Sequence, residues 1–266
     1  MKEQKPVLKA VLFDMDDTLI DWSSLKTDWT TLEASLLGGV YEYLCAEVHP
    51  IETLDAYRAE FHNRSMAAWA AARVTQQAPN IGRVLVESAI ALGAPIAKLD
   101  MRRVLEEYDW KAVPGTTIFP EVPAVLSRLI AAGIKVGVVT NAYQPMMLRE
   151  VEMRGLGILD FFPDCRISAA DVGYLKPHPE IFHTALRHVN TKPHETVFVG
   201  DDPHADIVGA QRIGMKAVLR YIDRRPFESG DDDIQPDAIV KDLNELFPLL
   251  DDWYPDWETE HIQENA

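Results

Sequence analysis

The stretch from Leu8 to Leu19 limits the fold more than any other. Leu8, Val11, Leu12 and Phe13 make an apolar run suited to a buried parallel strand. The run stops abruptly at Asp14-Met15-Asp16-Asp17-Thr18. Carboxylates crowded at the carboxyl end of a strand repel one another unless a cation or a shared proton compensates them. That same edge is where open α/β sheets take their ligands. A solvated acidic turn would have the same composition, so the decision rests on the rest of the chain.

From about residue 112 onward, strand and helix patterns alternate. Phe119-Pro120 is expected to start a helix whose face is Val122, Val125, Leu126 and Leu129, with Gly133 as its stop. Valine-dense Ile134–Thr140 predicts a strand, and Pro145 opens a helix that ends near Gly155. Short strands follow over Cys165–Ser168, Thr196–Gly200 and Lys216–Tyr221, with helices over Glu180–Val189 and Ala205–Ile213 and a last edge strand at Ala238–Val240. Such alternation implies right-handed crossovers and an α/β fold: a doubly wound, mostly parallel, Rossmann-like sheet.

The stretch between differs. Leu19–Ser24 reads as turn-like. Leu25, Trp29, Leu32, Leu36, Val40 and Tyr43 then recur at steps of three and four, and further helical patterns follow around Leu54–Arg73, Val84–Leu92 and Leu99–Tyr108. Residues 23–111 therefore read as an inserted all-helical cap, with residues 1–22 and 112–250 forming the sheet core. Insertion after the first strand would hang a lid over the carboxylates at its end. Residues 251–266 hold six acidic residues and neither Lys nor Arg, and are expected to form a mobile, solvated tail, which Trp253, Tyr254 and Trp257 could pin in part.

Charge and composition exclude several classes. With 26 basic against 42 acidic residues, the formal net charge of −16 repels nucleic acid and anionic membrane. An anion site must therefore be built locally, from a metal, a lysine or backbone N–H groups. Two distant cysteines, Cys45 and Cys165, make no disulfide framework, and no apolar run reaches membrane-spanning length. A cytoplasmic location, as a monomer or homodimer, is the expectation.

Three more loops carry chemistry at strand ends or helix starts. Thr140-Asn141 offers a hydroxyl and an amide to phosphate oxygens. Lys176, in a loop stiffened by Pro177 and Pro179, offers a point charge ahead of a helix. Gly200-Asp201-Asp202, followed by Asp206, presents carboxylates after a buried strand, with a glycine that permits close backbone approach. Singly, each has a commonplace reading: a capping Thr, a solvated Lys, an N-capping Asp. In this order, each at a strand's carboxyl end, they point to one site.

At these residues the chain resembles the haloacid dehalogenase superfamily, in the subclass with a helical cap after the first motif. Asp14-Met15-Asp16-Asp17-Thr18 is similar to its first motif, Thr140-Asn141 to its second, Lys176 to its third, and Gly200-Asp201 through Asp206 to its fourth. Asp17 stands where glycine is commoner, and His178 where Asp is frequent. The resemblance implies a Mg²⁺-dependent phosphatase acting on a small phosphorylated metabolite. Asp14 would be the nucleophile, forming an aspartyl-phosphate, and Asp16 the general acid and base. Mg²⁺ would bind the Asp14 carboxylate, the Asp16 backbone carbonyl and Asp201, with Asp206 orienting a metal water or Lys176. Thr140, Asn141 and Lys176 would hold the transferring oxygens. Family dehalogenases lack the acid/base Asp at the position of Asp16, so its presence favours phosphate esters. A sugar phosphomutase shares the whole set, and a receiver-like signalling module combines similar residues without turnover.

In the cap, His62, Arg64, Arg73, Arg83, Arg102 and Arg103 are candidates for a second anionic group of a substrate, although each alone reads as a surface or salt-bridged residue. Trp29, Trp69 and Trp110 read as cap core.

Overall fold

The computed structural model of the chain describes residues 7–25, 28–223 and 233–258, with positions 29 and 30 described by backbone alone. The strands in chain order are β1 (Ala10–Phe13), β2 (Ile20–Asp21), β3 (Thr117–Ile118), β4 (Lys135–Thr140), β5 (Arg166–Ser168), β6 (Thr196–Gly200), β7 (Lys216–Arg220) and β8 (Ala238–Val240). Six of them form one sheet in the order β5-β4-β1-β6-β7-β8, every neighbour parallel. β1 lies at the centre, because its four residues are all apolar and buried and both of its edges are paired. From β1 the chain passes to β4 and β5 on one side, then returns to β6 on the other. The carboxyl ends of β1, β4 and β6 therefore converge where the strand order reverses, the place where such sheets leave a crevice.

The helices are α1 (Trp29–Tyr43), α2 (Leu54–Thr75), α3 (Ile81–Ala91), α4 (Met101–Tyr108), α5 (Val122–Ala131), α6 (Met146–Gly155), α7 (Ala169–Val172), α8 (Pro179–Val189), α9 (Gly209–Arg212) and α10 (Leu246–Trp253). Alternate residues of β1 face opposite layers. Val11 and Phe13 pack with residues of α5, α6 and α10, while Ala10 and Leu12 pack with residues of α8 and α9. A third apolar cluster joins α1 to α4 through Leu37, Val40, Tyr57, Phe61, Leu85 and Leu105. Gly39 lets α1 meet α4 closely, since a Cβ there would lie 2.7 Å from the Glu107 carbonyl oxygen. Trp22 touches both this cluster and the sheet core.

Several elements depart from expectation. Leu19–Ser24 is not only a turn: β2 within it pairs antiparallel with β3, tying both connections to α1–α4 into one ribbon. The helix expected at Phe119-Pro120 starts at Val122, because the Phe119 N–H donates to the Leu19 carbonyl and extends that ribbon. The helix expected over Ala205–Ile213 is a wide turn over Pro203–Val208 before α9, where the N–H groups of Asp206 and Ile207 both donate to the Asp202 carbonyl. The acidic tail is corrected for residues 251–258: α10 runs to Trp253, Tyr254 and Trp257 are buried, and the Trp257 ring stacks on Phe247 with centroids 6.1 Å apart. Arg128 lies 3.8 Å over the Phe247 ring and pairs with Glu258 at 2.7 Å. Residues 259–266 lie outside the described residues.

Candidate active site

Asp14 follows β1 directly, and its N–H still donates to the Val199 carbonyl of β6 at 2.8 Å. That ladder bond delivers the side chain into the crevice. Lys176 Nζ donates to Asp14 Oδ1 at 2.6 Å and to the Val139 carbonyl at 2.9 Å, and it pairs with Asp206 Oδ1 at 2.7 Å. Asn141 holds the lysine's backbone from both sides: its Nδ2 donates to the Lys176 carbonyl at 3.0 Å, and its Oδ1 accepts from the Lys176 N–H at 2.7 Å. Burial pushes Asp14 up to about 7 and Asp206 up to about 6, in both cases against the pull of Lys176. Burial draws the ammonium down, but the two carboxylates outweigh it and Lys176 ends above its ordinary value.

Asp14, Asp201 and Asp206 can each present an oxygen within 4.8 Å of the other two. Gly200 makes room for this, because a Cβ there would collide with the Asp206 carboxylate. Asp206 Oδ2 is steadied by the Asp202 N–H at 3.1 Å. Asp14, Asp201 and Asp206 are all buried, and both Asp14 and Asp206 lie against the Lys176 ammonium. A hard divalent cation that prefers oxygen ligands fits this donor set.

The Asp16 carboxylate faces another way. Its Oδ1 accepts from Arg149 at 2.7 Å and from the Trp22 indole N–H at 3.0 Å, and its Oδ2 accepts from the Thr140 hydroxyl at 3.4 Å. Arg149 is buried and reaches Glu152 with its other fork at 3.0 Å, and Glu152 Oε2 accepts from the Trp110 indole N–H at 2.9 Å. Burial pushes Glu152 up to about 7, again against the pull of Arg149. The result is a chain, Asp16–Arg149–Glu152, gripped by one tryptophan from each connection to the helical segment. In the same turn between β1 and β2, Asp17 takes φ +62°, a left-handed conformation that Asp tolerates in place of the commoner glycine. Arg220, stacked 3.8 Å from the Phe119 ring, donates to the Thr18 carbonyl at 2.8 Å.

All seven residues singled out in the sequence — Asp14, Asp16, Thr140, Asn141, Lys176, Asp201 and Asp206 — line one cavity of about 280 Å³. So do Trp69 and Trp110, which corrects their reading as cap core alone; both also pack in the helical cluster. The side chain of Trp29 lies outside the described residues. Of the six cap cations named from the sequence, none lines this cavity. His62, Arg73 and Arg83 are exposed, Arg64 pairs with Glu60 at 2.6 Å, Arg102 pairs with Glu106 at 3.2 Å, and Arg103 pairs with Glu107 at 2.7 Å. Sequence reasoning missed Arg149, Glu152 and Trp22. Their signal was a charged i, i+3 pair on the α6 face that also carries buried Met146 and Met153.

Comparison with known proteins agrees with this geometry. The family model of haloacid dehalogenase-like hydrolases matches residues 8–214. A glyceraldehyde 3-phosphate phosphatase of Methanopyrus kandleri is 31% identical over 252 residues, covering 92% of this chain and 97% of that protein. The pyrophosphatase PpaX of Bacillus mycoides is 28% identical over 247 residues, covering 91% and 97%. Among solved structures, a 2-haloacid dehalogenase from Pseudomonas syringae pv. tomato superposes with a TM-score of 0.62 at 27% identity, covering 92% of this chain and 99% of that one. The chain belongs to the haloacid dehalogenase-like hydrolases, and its named relatives include phosphatases.

Proposed function

We propose that this hydrolase is a Mg²⁺-dependent phosphatase that cleaves a small phosphomonoester through an aspartyl-phosphate at Asp14. In this reading residues 1–22 and 112–250 are the catalytic core and 23–111 the cap. The observation that carries it is the pair of carboxylates, Asp14 and Asp16, that line one cavity in opposite environments. One is suited to attack and the other to move a proton.

Asp14, with Oδ1 held by Lys176, attacks phosphorus in line; its new O–P bond forms as the ester P–O bond breaks. Asp16 gives its proton to the leaving oxygen, with Oδ2 on the Thr140 side as the proton-carrying atom while Arg149 and Trp22 hold Oδ1. Asp16 then takes a proton from the water that attacks the phosphorus and returns Asp14 as a carboxylate. The Thr140 hydroxyl, the Asn141 backbone and Lys176 hold the transferring oxygens. The Asp14 carboxylate, the Asp16 backbone carbonyl and Asp201 would hold Mg²⁺, which would supply charge compensation between phosphate and carboxylates, while Asp206, paired with Lys176, orients that lysine or a metal water. Asp16 beside the nucleophile supports ester hydrolysis over the dehalogenation named for the Pseudomonas structure. The excess of acidic residues argues against nucleic acid and anionic membrane as partners, and the small cavity supports a small phosphorylated metabolite. No helix among the described residues is long and apolar enough to cross a membrane.

The test is phosphate release from a panel of phosphomonoesters, with Mg²⁺ and with EDTA, alongside Asp14→Asn. Release that needs Mg²⁺ and falls by about three orders of magnitude or more in Asp14→Asn is the expected result. Phosphate transfer between sugar hydroxyls without net release would make the protein a mutase. Stable phosphorylation of Asp14 with no turnover would make it a receiver-like module.

A further inference from the structure

The cavity has two unlike ends. Asp14, Lys176 and the acidic trio make the end at the sheet. Trp22, Trp69, Trp110 and Tyr143 make an aromatic end next to the helical segment, with the Trp69 and Tyr143 rings 5.9 Å apart and inclined at 49°. A phosphoester whose phosphate sits against Asp14 must project its leaving group towards those rings.

The charges on the way are fully engaged. Five aspartates line the cavity against two cations, Lys176 and Arg149. Lys176 faces Asp14 and Asp206, and Arg149 spends one fork on Asp16 and the other on Glu152. Turning Arg149 towards an incoming anion would strand Asp16 beside a buried, uncompensated Glu152. Among the described residues no other cation lines the cavity, and the cap arginines lie on the surface or in pairs with cap glutamates. Aromatic faces, negative at the centre of the ring, repel anions as the carboxylates do. The cavity, at about 280 Å³, also falls at the small end of ligand sites.

Building on the phosphatase reading, we infer that the leaving-group subsite formed by Trp22, Trp69, Trp110 and Tyr143 accepts compact, uncharged groups — an aldehyde, an alcohol or an aromatic ring — and rejects esters that carry a second carboxylate or phosphate. Rejection acts when the group enters the cavity, so it is expressed mainly in KM. Selectivity here comes from like-charge repulsion as much as from attraction.

The experiment uses near-isosteric pairs that differ in that charge: the amide of 3-phosphoglycerate against 3-phosphoglycerate, and 4-carbamoylphenyl phosphate against 4-carboxyphenyl phosphate, with the full chain and Mg²⁺. The expected result is kcat/KM at least about tenfold higher for the neutral member of each pair, mostly through KM, with the ratio narrowed in Trp69→Arg. Equal or better turnover of the anionic members overturns the inference and leaves the phosphatase reading standing. If no ester is hydrolysed, the phosphatase reading falls, and calorimetric titration of the same pairs into Asp14→Asn decides the subsite. Tighter binding of the neutral members supports it, and equal or tighter binding of the anionic members overturns it.

Discussion

Asp14 and Asp16 are separated by a single methionine, and the protein treats their carboxylates in opposite ways. The Asp14 side chain is 9% exposed, and its partners, Lys176 and the trio with Asp201 and Asp206, all follow from loops at the ends of sheet strands or before α8. The Asp16 side chain is 37% exposed and bonds to α6 and to the first connection to the helical segment. Buried Met15 anchors the turn between them in the sheet core. The difference teaches that two kinds of architecture build the site. Strand order assembles the Asp14 end, whereas the junction with the helical segment assembles the Asp16 end.

Removing one charge from each end should separate them. Lys176→Met leaves Asp14 and Asp206 buried without their cation and is expected to destabilise the metal-free protein by roughly 3–5 kcal/mol. Urea unfolding with and without Mg²⁺ measures this, and a substantial recovery with Mg²⁺ is expected because the cation takes over the lysine's electrostatic role. A variant as stable as the parent without metal would mean that the Asp14 end does not depend on strand-delivered charge. Arg149→Met should lower kcat by about one to two orders of magnitude while leaving the Mg²⁺ dissociation constant within about twofold. If Mg²⁺ affinity drops as steeply as kcat, the two ends are one unit and the contrast between them fails.

The smallest effect lies at the far end of the Asp16 chain. Glu152 is raised by burial from 4.5 to about 7, so between those values the folded protein binds more protons than the unfolded chain. Its contribution to stability is complete below about pH 4.5 and fades as the pH rises through about 7. Glu152→Gln should flatten that part of the stability–pH curve, read from chemical unfolding at a series of pH values. An unchanged slope would remove Glu152 from the account.

Much of the fold was legible because apolar runs end sharply in polar ones. Thr196–Gly200 and Ala238–Val240 form strands over the predicted residues, and the seven chemically suggestive residues meet at one cavity since each follows a buried run or precedes a helix. What was not legible has physical reasons. β2 and β3 are two residues each, too short to show a period of two. Arg149 and Glu152 resemble an ordinary surface i, i+3 pair, and only their partners 133 and 42 residues away, Asp16 and Trp110, reveal that they are buried. Residues 251–258 read as part of a solvated tail that Trp253, Tyr254 and Trp257 could pin, and burial of Tyr254 and Trp257 makes the pinning prevail there.

The position of β1 also bears on how the chain is made. Its two edges wait for β4, which begins at Lys135, and for β6, which begins at Thr196. At about 5–20 residues per second, a ribosome needs on the order of 10–40 seconds to pass from Phe13 to the start of β6. Throughout that time this buried strand has no complete place to go. The chain between β2 and β3 is mostly helical, with local contacts that form in milliseconds or less. The helical segment can thus take shape before the sheet beside it is complete, and Asp14 meets Asp201 and Asp206 only after β6 has been made.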